Sequence, residues 1–332
     1  MSFYLLGANY RTLTFELQEE LSRQHREIQD FWNSRLPWEA AVLFTCNRVE
    51  IYIAGSSGRI KDGLIEFRQR FARFFATGYL LLGERALLRH GLRLASGLDS
   101  QLRGESQIFE QLRIWSAPQN FPPALLRLWE EILSGSRMIR SQSGLDRQEI
   151  NIARIVLRDL AEQPEFLGAR EMVIIGTGKV AELFVKTAGQ KWRLNFVANK
   201  HYAKAQALAE ASQGFAYRLA DLPQLLASAD VLISATASPH YVILPEHFSG
   251  LNGLRSRPLY IYDLALPRDV QPEVSNLPGV CLKNLNDLTE IINREDWLHQ
   301  EAFGQAEQLI EEILNEKSQI RQPAQPVGEY SG

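Results

Sequence analysis

An α/β chain is what the sequence predicts, with an N-terminal α+β unit, a doubly wound unit after it and a C-terminal helix. Three stretches carry that expectation. Residues 40–44 and 49–54 are β-prone runs separated by four residues, which reads as a hairpin. Residues 172–175 form a buried-strand run, followed at once by Gly176-Thr177-Gly178-Lys179-Val180-Ala181 and a helical pattern. That strand–turn–helix grammar suits a dinucleotide: one glycine permits the tight turn, the next lets a pyrophosphate approach the backbone, and the helix start supplies donors. From Leu285 onward, Leu288, Ile291, Ile292, Ala302, Ala306, Ile310 and Leu314 recur with helical period.

The expected domains are 1–147, a catalytic and substrate unit; 148–284, a Rossmann-type unit; 285–320, a helix; and 321–332, a disordered tail. A chain of 332 residues with 45% hydrophobic and 23% charged residues has the composition of a globular protein. Its net charge of -3 provides no global field for nucleic acid, so any RNA surface has to be a local patch. Cys46 and Cys281 lie too far apart to suggest a disulfide or metal framework, and no metal is expected. That usage fits a reducing cytoplasm. The apolar run at the N-terminus is too short for a signal peptide or a membrane span.

Within the N-terminal unit, residues 3–8 read as a strand, 9–12 as a ligand-facing loop, and Thr14 as the cap of a helix. The hairpin tip carries Thr45-Cys46-Asn47-Arg48. A thiol is nucleophilic as thiolate and a neighbouring cation favours that form, while a guanidinium can grip a carboxylate with two parallel bonds. Cys46 therefore reads as an acyl-accepting nucleophile with Arg48 as the substrate's anchor, or else as a small buried hydrophobe beside a surface Arg. Residues 60–75 form a basic amphipathic stretch that reads as a solvated face or an RNA contact. A helix ending near Ser96-Gly97, a polar turn, and a second helix near Gly104 follow. His90 is the acid–base candidate or a satisfied core histidine. Glu105, Gln107 and Gln111 are ligand candidates or helix-end polar residues.

After a hinge near 141–165, the dinucleotide turn occupies Gly176 to Ala181. The next strand ends in Asn199-Lys200, an amide and a cation where a carboxylate would bind the ribose of NAD, which favours NADP. Thr236 and Asp263, at later strand ends, are candidates for the nicotinamide side or else ordinary loop residues. Cys281 reads as core.

Taken in order and spacing, residues 45–50, 95–100, 104–108, 176–178 and 263–269 resemble the glutamyl-tRNA reductases over about residues 3–317. The resemblance implies NADPH-dependent reduction of glutamyl-tRNA to glutamate-1-semialdehyde, the first step of five-carbon tetrapyrrole biosynthesis, through a thioester on Cys46. It implies substrate contacts at Thr45, Asn47, Arg48, Ser100, Glu105, Ser106, Gln107 and Gln111, an active-site histidine at His90, and a cofactor loop at Gly176, Thr177, Gly178, Lys179, Val180 and Ala181. Glutamate-1-semialdehyde aminomutase is the implied partner enzyme. Tyr10 stands where the family usually has His, Ser106 where it has Pro, and residues 149–153 depart from a Ser- and Val-rich pattern. Because the chain stops soon after the start of the family's long spinal helix, a monomer or weak dimer is expected. Two other readings remain: a non-catalytic protein that binds glutamyl-tRNA or a pathway enzyme on the same scaffold, and an NADP-dependent dehydrogenase of a free small acid.

Overall fold

The computed structural model describes residues 2–36, 39–55, 57–118, 121–148, 150–163, 171–249 and 257–320. The expected tail at 321–332, Glu149 and the end of the expected hinge at 164–165 lie outside the described residues. In the first part β1 (Ser2–Asn9) leads to α1 (Phe15–Arg23) and α2 (His25–Arg35), then the hairpin β2 (Ala40–Thr45) and β3 (Arg48–Gly55). α3 (Ser57–Arg70), α4 (Ala72–Phe75) and β4 (Tyr79–Leu82) follow, and then α5 (Glu84–Ala95), α6 (Gln107–Trp115), α7 (Pro123–Gln142) and α8 (Ile152–Ala161). The antiparallel sheet runs β2-β3-β1-β4. Thr14 caps α1, its hydroxyl accepting from the Leu17 N–H.

Both faces of this sheet are covered, which is why its strands read as continuous apolar runs rather than alternating ones. Leu6, Ile51 and Ile53 join an aromatic cluster with Phe31, Trp32, Phe67, Phe71 and Phe75 from α2, α3 and α4 and the residue between the last two. Leu5 and Tyr52 point the other way, into a core that continues through α5, α7 and α8 toward the second sheet. The basic stretch at 60–75 is thus an ordinary amphipathic face. Arg70 pairs with Glu27 at 2.6 Å and Arg73 with Glu20 at 2.9 Å, so these two cations are locally balanced.

The second sheet is parallel and is built from β5 (Glu171–Ile175), β6 (Arg193–Val197), β7 (Phe215–Tyr217), β8 (Val231–Ser234), β9 (Leu259–Asp263) and β10 (Val280–Asn284). α9 (Lys179–Thr187), α10 (Tyr202–Ser212) and α11 (Leu222–Ser228) lie between its strands in sequence. Its order, β10-β9-β8-β5-β6-β7, is that of a doubly wound dinucleotide-binding sheet, reversing direction between β5 and β8. β10 is an edge strand, and Cys281 on it is exposed, which corrects its reading as core.

The C-terminal helical stretch divides at His299 into α12 (Thr289–Leu298) and α13 (Gln300–Ile320). α13 returns to pack on α5 and α7 of the first part. Successive turns of α5 supply Arg85, Arg89 and Arg93. Arg89 meets Glu311 at 2.6 Å, Arg93 meets Glu307, and Arg85 reaches the Leu314 carbonyl. A second tie joins the two sheets' domains directly, because the Arg268 backbone N–H and guanidinium donate to the Glu19 carboxylate at 2.7–3.1 Å. Among the described residues no helix is long and apolar enough to cross a membrane.

Candidate functional site

Thr45 pairs with Arg48 across the β2–β3 hairpin, so Cys46 and Asn47 form a two-residue tip. The Asn47 N–H donates to the Thr45 hydroxyl at 3.2 Å, and its carbonyl accepts from the Tyr10 N–H at 2.9 Å, which fixes the tip to the end of β1. Cys46 is left accessible there. It borders a cavity of about 90 Å³ whose wall includes Thr45, Asn47, Arg48, Ser100, Glu105, Gln107 and Gln111. The sequence named all of these. The wall is completed from the other domain by Val180 and Leu264, and by Ile152, Leu285 and Ile292. Ser106 is not part of it. As N-cap of α6 it borders a neighbouring hollow of about 650 Å³, together with Lys179.

The turn carrying Ser100 and Glu105 is held by a residue the sequence did not single out. Buried Arg140 on α7 donates to the carbonyls of Ser96 at 2.9 Å, Glu105 at 3.1 Å and Gly104 at 3.3 Å. Gly97 takes a left-handed conformation, φ 83°, and a Cβ there would meet the Glu105 carbonyl at 2.8 Å, so the turn closes only around glycine. No local pattern marks this role of Arg140, since the carbonyls it holds lie 35 to 44 residues away. The loop at 9–12 also serves this turn, correcting its reading as ligand-facing. Arg11 pairs with Asp99 at 2.7 Å and the Tyr10 hydroxyl donates to the Ser100 carbonyl at 3.2 Å.

Behind the tip lies a buried charge network. Arg48 donates to Glu50 and Asp99, each at 2.8 Å, and to the Asp99 carbonyl. It is therefore already neutralised, which corrects the expectation of a guanidinium held free for a substrate carboxylate; three of its five N–H donors are engaged. Glu50 also accepts from the Tyr52 hydroxyl at 2.6 Å and from Tyr79, and His90 Nε2 lies 2.9 Å from it. His90 is consequently bound one layer behind Arg48 and does not line the cavity. Burial alone would raise the Glu50 pKa, but His90, Arg48 and the hydrogen bonds outweigh it and hold the carboxyl well below its usual range.

Two groups in the cavity have displaced pKa values. Desolvation by the surrounding protein, with the Glu105 charge nearby, pushes the Cys46 thiol up to about 12. A hydrogen bond to its own backbone and the neighbouring Arg48 offset only part of that rise. Enclosure likewise raises Glu105 to about 7, against the opposing effects of the Ser100 hydroxyl, Arg140 and Arg48. The cation beside Cys46 therefore does not make it a thiolate. What lies beside it is a carboxyl that titrates near neutrality.

A larger cleft, about 760 Å³, lies at the carboxyl ends of the parallel strands and is lined by Gly176, Thr177, Gly178, Asn199, Lys200, Lys204 and Thr236. Gly176, with φ 113°, sits so close to the Ala235 carbonyl that a Cβ would approach it to 2.5 Å. A Cβ on Gly178 would meet nothing within 4 Å, which leaves the room a pyrophosphate needs. These features fit a nicotinamide nucleotide. Lys179 and Val180 border the two other hollows, while Ala181 is buried against the sheet as the small residue the helix start requires. Asp263 is not a cleft residue, correcting its nicotinamide-side reading. It is buried and accepts from the N–H groups of Ala265, Asp269 and Val270, bracing the loop after β9.

The chain matches two domain families: glutamyl-tRNAGlu reductase, N-terminal domain, over residues 6–143, and shikimate / quinate 5-dehydrogenase over residues 159–291. It is 32% identical to a glutamyl-tRNA reductase of Thermus thermophilus, covering 95% of this chain and 80% of that one. It is 30% identical to one of Pelotomaculum thermopropionicum, covering 95% and 74%. Among solved structures, a glutamyl-tRNA reductase from Methanopyrus kandleri superposes with TM-score 0.50 at 26% identity, covering 96% of this chain and 80% of that one.

The buried network makes stability depend on Glu50. Glu50→Gln should lower unfolding free energy at pH 7 by about 3–5 kcal/mol, since it removes one partner of a buried ion pair. The Glu50 contribution is complete above its unfolded value of 4.5 and is lost progressively as pH falls from there through its far lower folded value, so the variant and the parent should converge only in strong acid. Denaturant titrations at pH 7 and about pH 2 measure both effects; a difference below about 1 kcal/mol at pH 7 would contradict them.

Proposed function

The chain belongs to the glutamyl-tRNA reductase family, and on that footing we propose that its cavity takes the glutamyl group of glutamyl-tRNA onto Cys46 as a thioester and releases it as glutamate-1-semialdehyde. The observation that carries this reading is a reachable thiol at a rigid hairpin tip, facing a cavity whose walls come from both the substrate and the nucleotide domains.

Cys46 Sγ attacks the ester carbonyl carbon and the bond from that carbon to the terminal ribose oxygen breaks. With its thiol pKa high, the step needs a base, and Glu105 is the base we assign: it takes the thiol proton and returns it to the departing ribose oxygen. Gln107, Gln111, Asn47 and Ser100 supply amides and a hydroxyl for the amino and carboxylate groups of the glutamyl moiety. Arg48 contributes through its remaining donors, held at a fixed angle by Glu50 and Asp99, and His90 positions Glu50. Gly176, Thr177 and Gly178 would hold NADPH in the cleft, where it would supply the hydride that turns the thioester into aldehyde and thiolate. Its preference over NADH rests on Asn199, Lys200 and Lys204 occupying the region where a carboxylate would repel a 2′-phosphate. Arg218, which carries no signal in the sequence, donates to the Asn199 carbonyl at 3.4 Å and lies 4.2 Å from the Tyr202 ring centroid, adding charge to that edge. A glutamate-1-semialdehyde aminomutase is the recipient we propose for the aldehyde. A purely binding role is not favoured, because such a role needs neither a reachable thiol nor an adjoining nucleotide cleft.

Cys46→Ser should abolish semialdehyde formation and leave nucleotide binding intact; a fully active serine variant would refute the thioester route. Single-turnover acylation of Cys46 should rise with pH through about 7 as Glu105 loses its proton. Glu105→Gln should slow it by about 10²–10⁴ and move the rise into the alkaline range of the thiol itself. An unchanged pH profile would remove Glu105 from the base's role.

A further inference from the structure

A hollow of about 850 Å³ has no role in the chemistry above. It lies between the two domains, where the end of α1 and the start of α2 face the loops after β8 and β9. Its wall includes Arg23, His25, Arg26, His240, Tyr241 and Arg268, and among the described residues no carboxylate lines it. In a chain with net charge -3 this is a local concentration of cationic donors. Arg268 is engaged by Glu19. Arg23 and Arg26 are exposed and form no ion pair with any described carboxylate, in contrast to Arg70 and Arg73 on the neighbouring basic face. Tyr241, 39% exposed, offers a ring at the same wall. The His25 ring packs edge-on against Phe44, two residues before Cys46, so one side chain of the hollow's wall also touches the strand that leads to the hairpin tip.

We infer that this cleft holds the phosphate backbone of the acceptor strand of the substrate tRNA, leading its charged end toward Cys46. Two arginines with no ion-pair partner among the described residues, in a groove that no described carboxylate lines and beside an exposed aromatic ring, suit a single RNA strand, whose phosphates take the cations and whose bases stack. The Cys46 cavity, about 90 Å³, has no room for several nucleotides, so the RNA must be held outside it. The hollow also shares Ala237 with the dinucleotide cleft, which makes the cofactor's own phosphates the competing source of the same chemistry. This inference rests on the function proposed above.

The test compares the full-length protein with Arg23→Glu/Arg26→Glu and Arg23→Lys/Arg26→Lys double variants. Binding of uncharged tRNA specific for glutamate is measured across a salt series, with NADPH binding measured alongside. Single-turnover acylation of Cys46 is followed with glutamyl-tRNA and with a glutamyl ester of adenosine. Charge reversal should weaken tRNA binding by roughly tenfold or more and reduce the slope of log affinity against log salt by about two, one for each phosphate no longer neutralised by an arginine. The lysine variant should keep most of both, and acylation by glutamyl-adenosine and NADPH binding should be unchanged. Unaltered tRNA affinity would overturn the inference, as would a loss confined to NADPH binding or an equal loss with glutamyl-adenosine. If the parent protein binds tRNA in this charge-dependent way yet never accepts glutamate on Cys46, the functional reading fails while this one stands.

Discussion

Glu50 is a carboxylate with no solvent exposure, and the geometry of the reactive tip depends on how its charge is balanced. Removing such a group from water is costly unless it is paired and fully hydrogen-bonded. Arg48, His90, Tyr52 and Tyr79 all converge on it, from β3, α5 and β4. Arg48 carries the network on to Asp99, and Asp99 to Arg11. One buried charge thereby locks the hairpin, the loop after β1 and the turn before α6 into a single body. Cys46 then projects from a rigid mount, which is what a nucleophile needs if its approach to a carbonyl is to be reproducible.

Charge pairing of the same kind extends across the domains. Glu19 on α1 is buried, and it takes both backbone and side-chain donors of Arg268 from the loop after β9. That loop is braced from within by Asp263 and Asp269, the latter accepting from Ser234 and Thr236 at the mouth of the nucleotide cleft. α13 closes the arrangement from the other side through its ion pairs with α5, the helix that bears His90. The cavity is therefore assembled from two sheets held in register by charged groups at their edges, and Val180 and Leu264 bring the nucleotide side to the wall that Cys46 borders.

The sequence revealed local features and concealed long-range ones. Thr45–Arg48 and Gly176–Ala181 were readable because a hairpin tip and a phosphate-binding turn are written in contiguous residues. The parallel sheet followed from the strand–turn–helix grammar, although its strand order needed the fold. Arg140, Glu19 and Arg218 carry no local signal, since each matters through a partner distant in sequence. His90 and Arg48 stand out by residue type alone, whereas Glu50, which engages both, reads as an ordinary strand residue. Cys281 misled for the opposite reason: an apolar run on an edge strand resembles one in a core.

The central claim is that Cys46 accepts glutamate from RNA before any reduction takes place. Incubating the protein with glutamyl-tRNA in the absence of nicotinamide nucleotide, followed by mass spectrometry of the peptide bearing Cys46, tests it most directly. A glutamyl adduct on Cys46 that disappears on addition of NADPH is the predicted result. An unmodified Cys46 under conditions where the protein still turns over with NADPH would contradict the account.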